Sequence, residues 1–158
     1  MNTNRHKELM QRAIELSVAN VANGGGPFGA VIVKDGKVIA EGVNRVTANN
    51  DPTAHAEVTA IRAACQRIGN FKLDGCEIYT SCEPCPMCLS AIYWAGIRHI
   101  YYGGTKKDAE RIGFGDNFIY EEIARPYSER SIPTEQMMNE EAQAAFHAWE
   151  EKADKIEY

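Results

Sequence analysis

Two short segments, His55-Ala-Glu57 and Pro84-Cys85-Pro-Met-Cys88, constrain this chain more than anything else in it. One imidazole and two thiols are ligands that zinc takes, and three protein ligands leave a coordination position for water, which separates a catalytic zinc from a closed structural one. Zinc lowers the pKa of a bound water from ~16 to ~7, and Glu57, two residues from the histidine, can manage protons beside it. His55 and Cys85 lie thirty positions apart in the chain. The fold must therefore bring two separate segments to one point.

Both segments read as helix starts. Pro52-Thr53 precedes a pattern in which Val58, Ile61, Ala64, Cys65 and Ile68 recur at helical spacing. Pro84, Cys85 and Pro86 lead into Met87–Ile92, and proline is accepted at a first helical position. The partial positive charge of a helix N-terminus favours thiolates. Within a regular helix, His55 and Glu57 would diverge by about 200°. Both can serve one ion only if it lies near the axis, off the helix N-terminus.

Neither fragment is decisive alone. A lone helical histidine is usually packed or solvated, and a lone Cys-x-x-Cys can be a redox pair or half of a structural zinc site. Glu57 and the two prolines make the combination specific. Cys82 extends the thiols to C-x2-C-x2-C, which opens an iron–sulfur reading, but the bacterial ferredoxin run would require cysteine where Ile92 stands. Cys82 could also close the zinc site as a fourth ligand. The reading favoured is a buried thiol at the end of a strand.

The chain has 158 residues, enough for one domain with a sizeable core. No run of about 18 apolar residues marks a membrane span, and the polar start Met1–Glu8 lacks a secretory apolar region. Five cysteines, an odd number, do not form a disulfide framework. A reducing cytoplasm suits thiolate ligands and is the expected location. The net charge is −5, and the final twenty residues carry six acids against two lysines. That balance counts against a polyanionic substrate, since phosphate contacts call for a basic surface.

Along the chain, His6–Ala22 is expected to be an amphipathic helix with Met10, Ala13, Ile14, Val18 and Val21 inward. Gly24-Gly25-Gly26-Pro27 ends it without a phosphate-loop pattern. Phe28–Lys34 and Lys37–Gly42 read as strands joined by an Asp35-Gly36 hairpin turn. A loop, Asn44–Asp51, delivers the chain to the His55 helix. Then follow a strand at Glu77–Ser81, a helix at Pro86–Ala95, a strand at Arg98–Gly103 and a short helix at Lys106–Ile112. Gly113–Asn117 is a loop, Phe118–Ile123 is ambiguous, and Arg125–Pro133 reads as irregular. A last helix, Glu140–Lys155, is predicted with Asn139 as its cap and Phe146 and Trp149 inward. Alternating strands and helices, with an opening hairpin, predict a three-layer α/β/α sandwich around a mixed sheet, in a single domain. Both metal-bearing helices then start beyond strand ends, where α/β folds commonly hold ligands.

On these residues the chain resembles the cytidine deaminase-like superfamily of zinc nucleobase deaminases, which carry H-x-E…P-C-x-x-C. The likeness runs nearly end to end. It takes in Gly26–Gly36, Asn50–Arg62, Tyr79–Leu89 and Ala91–Ala95. Within the superfamily it is most similar to small bacterial guanine deaminases, through Gly113-Phe-Gly-Asp-Asn-Phe-Ile-Tyr120 and the ending Lys155-Ile-Glu-Tyr158. The stretch Thr134–Ala145 is more polar than the family pattern. The resemblance implies one zinc per subunit on His55, Cys85 and Cys88, with Glu57 as proton shuttle. Asn44 and Asp116 would bind the purine and Phe28 would pack near it. It implies a homodimer that exchanges C-terminal segments, about residues 134–158, so that Tyr158 enters the partner's site.

The expected activity is hydrolysis of guanine to xanthine and ammonia, a step in purine breakdown. Glu57 would take a proton from the attacking water and deliver it to ring N3, and Asp116 would assist the second transfer to the leaving amine. The alternatives are a transfer-RNA adenosine deaminase, a deaminase of cytosine or of a free nucleoside, and a non-enzymatic zinc or iron–sulfur module. Glu57 speaks against the last, because a structural site needs no proton shuttle. Without the resemblance, Asn44 and Asp116 could as well cap turns, Phe28 could belong to the core, and Tyr158 could be a frayed end.

Overall fold

A computed structural model of the chain describes residues 3–158. The elements run α1 (Thr3–Ala22), β1 (Gly29–Lys34), β2 (Lys37–Val43), α2 (Val46–Asn49), α3 (Ala56–Ile68), β3 (Cys76–Cys82), α4 (Pro86–Trp94), β4 (His99–Gly104), α5 (Lys106–Arg111), α6 (Asn117–Ala124) and α7 (Asn139–Glu151). The four strands form one sheet in the order β2-β1-β3-β4. Asp35 and Gly36 both take positive φ, 49° and 74°, as a two-residue hairpin turn requires. β1 pairs antiparallel with β2 and β3, and β3 pairs parallel with β4 across the α4 connection. The sheet is mixed, as expected.

Alternation along the central strands sorts the core into two layers. Ala30, Ile32 and Ile78 pack with Ala56, Ala60 and Ala64 of α3 and Ile92 of α4. Val31, Val33 and Tyr79 pack with Leu9 and Ala13 of α1 on the other face. This is the three-layer arrangement that the alternation of elements predicts. Glycine lets the helices sit close. A Cβ at Gly29 would lie 2.5 Å from the Ala13 carbonyl oxygen, and one at Gly42 would lie 2.3 Å from that of Ala56.

Several expectations change. α1 buries Leu9, Ala13, Ser17 and Asn20, while Val18 and Val21 of the predicted face are exposed. The reason is polar. Asn20 Nδ2 donates to the carbonyl oxygens of Gly26 and Asn44, and Ser17 Oγ donates to that of Ile14. These bonds make burial of polar side chains tolerable. The loop before the His55 helix contains the single turn α2, and the ambiguous stretch Phe118–Ile123 is helical within α6. The irregular stretch holds a 3₁₀ turn at Tyr127–Glu129.

The chain groups into two compact units, one ending at Asn117 and the other spanning Phe118–Tyr158. In the second, the Glu122 carboxylate accepts from the Ser131 N–H at 2.8 Å and from its hydroxyl at 2.9 Å, and pairs with Arg125 at 2.8 Å. Arg130 donates to the Glu122 and Ile123 carbonyls. These bonds fold the chain after α6 back on it. α7 is capped by Met138, which takes a left-handed conformation, and not by Asn139, which lies inside the helix. It stops at Glu151, short of the predicted Lys155. Phe146 and Trp149, expected inward, are 61% and 40% exposed. None of the described residues 118–158 is buried. Among the described residues, no helix is long and apolar enough to cross a membrane.

Candidate active site

The two half-sites are built alike. His55 is the N-cap of α3 with φ −67° and ψ 159°, and Cys85 is the N-cap of α4 with φ −67° and ψ 168°. Each is extended, just outside its helix, and its carbonyl accepts the first helical bond, from Thr59 and Leu89 respectively. That placement meets the geometric condition on His55 and Glu57. His55 lies outside the helix while Glu57 lies in its first turn, so the two need not follow helical spacing. The approach to His55 is set by Asp51, whose Oδ1 accepts from the Thr53 N–H at 2.8 Å and its hydroxyl at 2.7 Å. The Arg45 N–H closes the loop on the Ala54 carbonyl at 2.8 Å.

His55, Cys85 and Cys88 form a three-donor cluster. His55 Nδ1 lies 3.5 Å from each sulfur. Tetrahedral zinc with Zn–N of ~2.0–2.1 Å and Zn–S of ~2.3 Å would set such donors about 3.6 Å apart. The residues present therefore fit the ion, and the cluster is positioned to bind one zinc. Its electrostatics agree. Cys85 is held well below an ordinary thiol, first by a hydrogen bond from Cys88 and then by His55. Cys88 is pushed up, chiefly because its proton bridges to Cys85. Donation to the Cys85 thiolate is also the largest influence on His55, whose pKa rises. Three donors thus crowd around too little positive charge, and a dication in the cluster is what lets all three act as ligands. Cys82 stands outside this cluster. It is half-buried rather than buried, and its thiol donates to the Thr105 carbonyl at 3.6 Å.

Glu57 is 6% exposed and accepts at Oε1 from the Thr80 hydroxyl, 3.0 Å away. Burial pushes its carboxyl up, opposed by its own N–H, Cys88 and Thr80. Asp116 is raised by burial and then by the charge of Cys85, and its own charge raises His55 and Cys82. The loop before α6 thus brings Asp116 into the electrostatic field of the donors. Asn44 is 9% exposed, and its Oδ1 accepts from the Val46 N–H at 3.3 Å. Phe28 packs against the core beneath α3, and its ring meets Phe114 edge-to-face at 5.1 Å between centroids.

The zinc-binding region of cytidine and deoxycytidylate deaminases matches residues 3–104. The chain belongs to this deaminase family. It is 55% identical to the guanine deaminase of Bacillus subtilis over 97% of this chain and 99% of that protein. The crystal structure of the Bacillus enzyme superposes with a TM-score of 0.95, covering 100% of this chain and 99% of that one. A guanine deaminase from Nitrosomonas europaea superposes at 0.65 with 37% identity, over 68% of this chain and 63% of that one. A tRNA-specific adenosine deaminase of Agrobacterium fabrum is 45% identical over 59% of this chain and 61% of that protein.

In this member of the deaminase family, three residues around the centre escape a reading by motif. Thr80 sits in a strand, where threonine is an ordinary β-former, though period two puts it on the same face as the core residue Ile78. Asn20 ties Gly26 to Asn44 from within an apparently amphipathic helix. Phe114 sits in the quoted loop and supports Phe28. Tyr158 belongs to the C-terminal unit and is 75% exposed in the single chain.

Proposed function

We propose that this chain is a zinc-dependent guanine deaminase, converting guanine and water to xanthine and ammonia. The observation that carries this is the reach of the likeness to the Bacillus guanine deaminase. It covers 97% of the chain, well past residue 104, where the shared zinc-binding region stops. The match to the Agrobacterium tRNA deaminase covers 59%. A net charge of −5 also favours a free base over a polynucleotide.

His55, Cys85 and Cys88 would hold the zinc, which when bound makes a water acidic enough to attack near neutral pH. Glu57 takes a proton from the attacking water and delivers it to ring N3 as the oxygen adds to C2. Burial favours its protonated form, so it can hold the proton between transfers. The hydroxyl added at C2 then gives up its proton, which reaches the amine on C2 with help from Asp116, and the C–N bond breaks as the C2 carbonyl forms, releasing ammonia. Asn44 offers its amide to the edge of the purine, with its orientation set by the Val46 N–H. Phe28, braced by Phe114, walls one side.

The working unit is a cytoplasmic homodimer in which about residues 134–158 cross to the partner and Tyr158 covers the partner's base. Support comes from the apolar residues of that segment, since Phe146, Ile156 and Tyr158 are 61%, 69% and 75% exposed in the single chain. Exchange of a terminal element is a low-cost route to a dimer.

Ammonia release from guanine, guanosine, adenine, cytosine and transfer RNA tests the substrate. Guanine should be turned over far better than the rest, and preference for transfer RNA would overturn the reading. For the dimer, Glu57→Gln protein is refolded together with a chain lacking Ile156–Tyr158. Recovered activity is expected, because one site in the mixed dimer has both Glu57 and a partner tail. Confirmed heterodimers without recovery would sink the shared site.

A further inference from the structure

Glu57 must hold one orientation through more than one proton transfer, and carboxylates rotate easily about their terminal bond. The neighbours that fix it are few. Cys88 is one, but a thiolate serving as a metal ligand has no proton left to donate. Two neutral donors remain: the residue's own backbone N–H, and Thr80. Thr80 is 1% exposed and stands on β3 between Ala30 and Tyr102 on the neighbouring strands. Its Oγ1 lies 3.0 Å from Glu57 Oε1 and also 3.0 Å from the Cys82 carbonyl oxygen. A β-branched side chain in a strand has few χ1 choices, so the hydroxyl is a fixed point on the rigid sheet.

We infer that Thr80 is a positioning residue for Glu57, its hydroxyl holding the carboxylate in the orientation that proton transfer needs. The inference rests on the proposed deaminase reading. The sheet, rather than the helix that carries Glu57, sets the final aim of the carboxylate. Glu57 and His55 share the start of α3, and Thr80 adds an independent tether from β3, the strand that leads on to Cys85. The proton shuttle is thereby referenced to the segment that supplies both thiols.

The test uses Thr80→Val, which keeps shape and strand preference, and Thr80→Ser, which keeps the hydroxyl. Zinc content and guanine kinetics are measured on both. The expected result for Val is full zinc, KM within roughly twofold and kcat lowered roughly ten- to hundred-fold, the worth of a hydrogen bond to a charged group. Thr80→Ser should recover most of kcat. Crystal structures of the zinc-loaded variants give a second readout: Glu57 turned or split between orientations with Val, and unmoved with Ser. Should Val misfold, Thr80→Ala is read the same way. An unchanged kcat in the Val variant overturns the inference. So does an equal loss with Ser, a loss confined to KM, or a Glu57 carboxylate unmoved in the Val crystal. If the unmodified protein deaminates another base instead, the guanine reading fails, while the Thr80 comparison is made on that base.

Discussion

The residues up to Asn117 and the residues from Phe118 onward solve their local problems equally well but differ in what they bury. In the first region each sheet face is covered by helices, and β1 is buried along almost its whole length. Every buried polar side-chain atom among the described residues has a partner. The second region forms two helices and a network around Glu122, yet buries no described residue and leaves Phe146, Ile132 and Met137 61%, 76% and 78% exposed. Local propensity is enough to write a helix such as α7, with Glu140 and Glu141 at its positive end. It does not supply the surface against which that helix loses water. The chemistry sits in the region that supplies its own packing, and the apolar residues left over are the ones that the proposed dimer would cover.

The largest effect should come from the donors. Cys85→Ala or Cys88→Ala should drop zinc from stoichiometric to negligible by elemental analysis and abolish turnover, while Cys82→Ala keeps the metal. Equal zinc loss from Cys82→Ala would mean a closed, structural centre. Next, Glu57→Gln should retain zinc and lower kcat by ~10²–10⁴-fold; wild-type turnover by a zinc-replete variant would remove Glu57 from the mechanism.

The contrast between regions is sharpened by a matched pair. Leu9→Ala, in the buried core, should cost ~2–5 kcal/mol of unfolding free energy in urea titrations. Trp149→Ala should leave that nearly unchanged and instead weaken dimerisation by about 2 kcal/mol in sedimentation equilibrium. If Trp149→Ala unfolds the chain and leaves association intact, the assignment of α7 to an intermolecular surface is wrong. The smallest effect concerns Arg12 and Glu41, which pair at 2.7 Å between α1 and β2. The Arg12 hydrogen bond holds the Glu41 carboxyl below its usual value. A lowered folded pKa adds stability above the unfolded value and loses it as pH falls through the folded one. Both side chains are partly exposed, so Glu41→Gln should cost only ~0.2–1 kcal/mol at pH 7. That difference should vanish at acid pH, and a penalty independent of pH would show that packing, not charge, is at work.

The metal centre was legible because its chemistry is concentrated in residue types with few other uses, at helix starts marked by proline. The sheet was legible from period-two runs and the Asp35-Gly36 turn. The inward face of α1 was not. Hydropathy sees Ile14, Val18 and Val21, while packing prefers Ser17 and Asn20, because Gly29 draws that side of the helix against β1 and Asn20 finds two carbonyls there. The cap of α7 was hidden for a related reason. Asn139 has the right chemistry, but the turn is made by Met138 at a φ of 53°, a conformation that composition does not advertise. Thr80 was invisible because one hydroxyl in a strand has no motif.

Gly42 bears on manufacturing tolerance. Only a hydrogen separates β2 from the first turn of the helix that begins after His55, so the strand acts as a datum face from which the imidazole is measured. The sulfurs are gauged separately, through α4. Metal-ligand distances tolerate errors of about 0.2 Å. A methyl group at position 42 would begin 2.3 Å from the Ala56 oxygen, against 3.4 Å for ordinary contact. Restoring that clearance would lift one half of the assembly by about 1 Å and leave the other half where it was, several times the permitted error. A centre whose parts come from two helices holds its gauge only while both keep their seating on the same sheet.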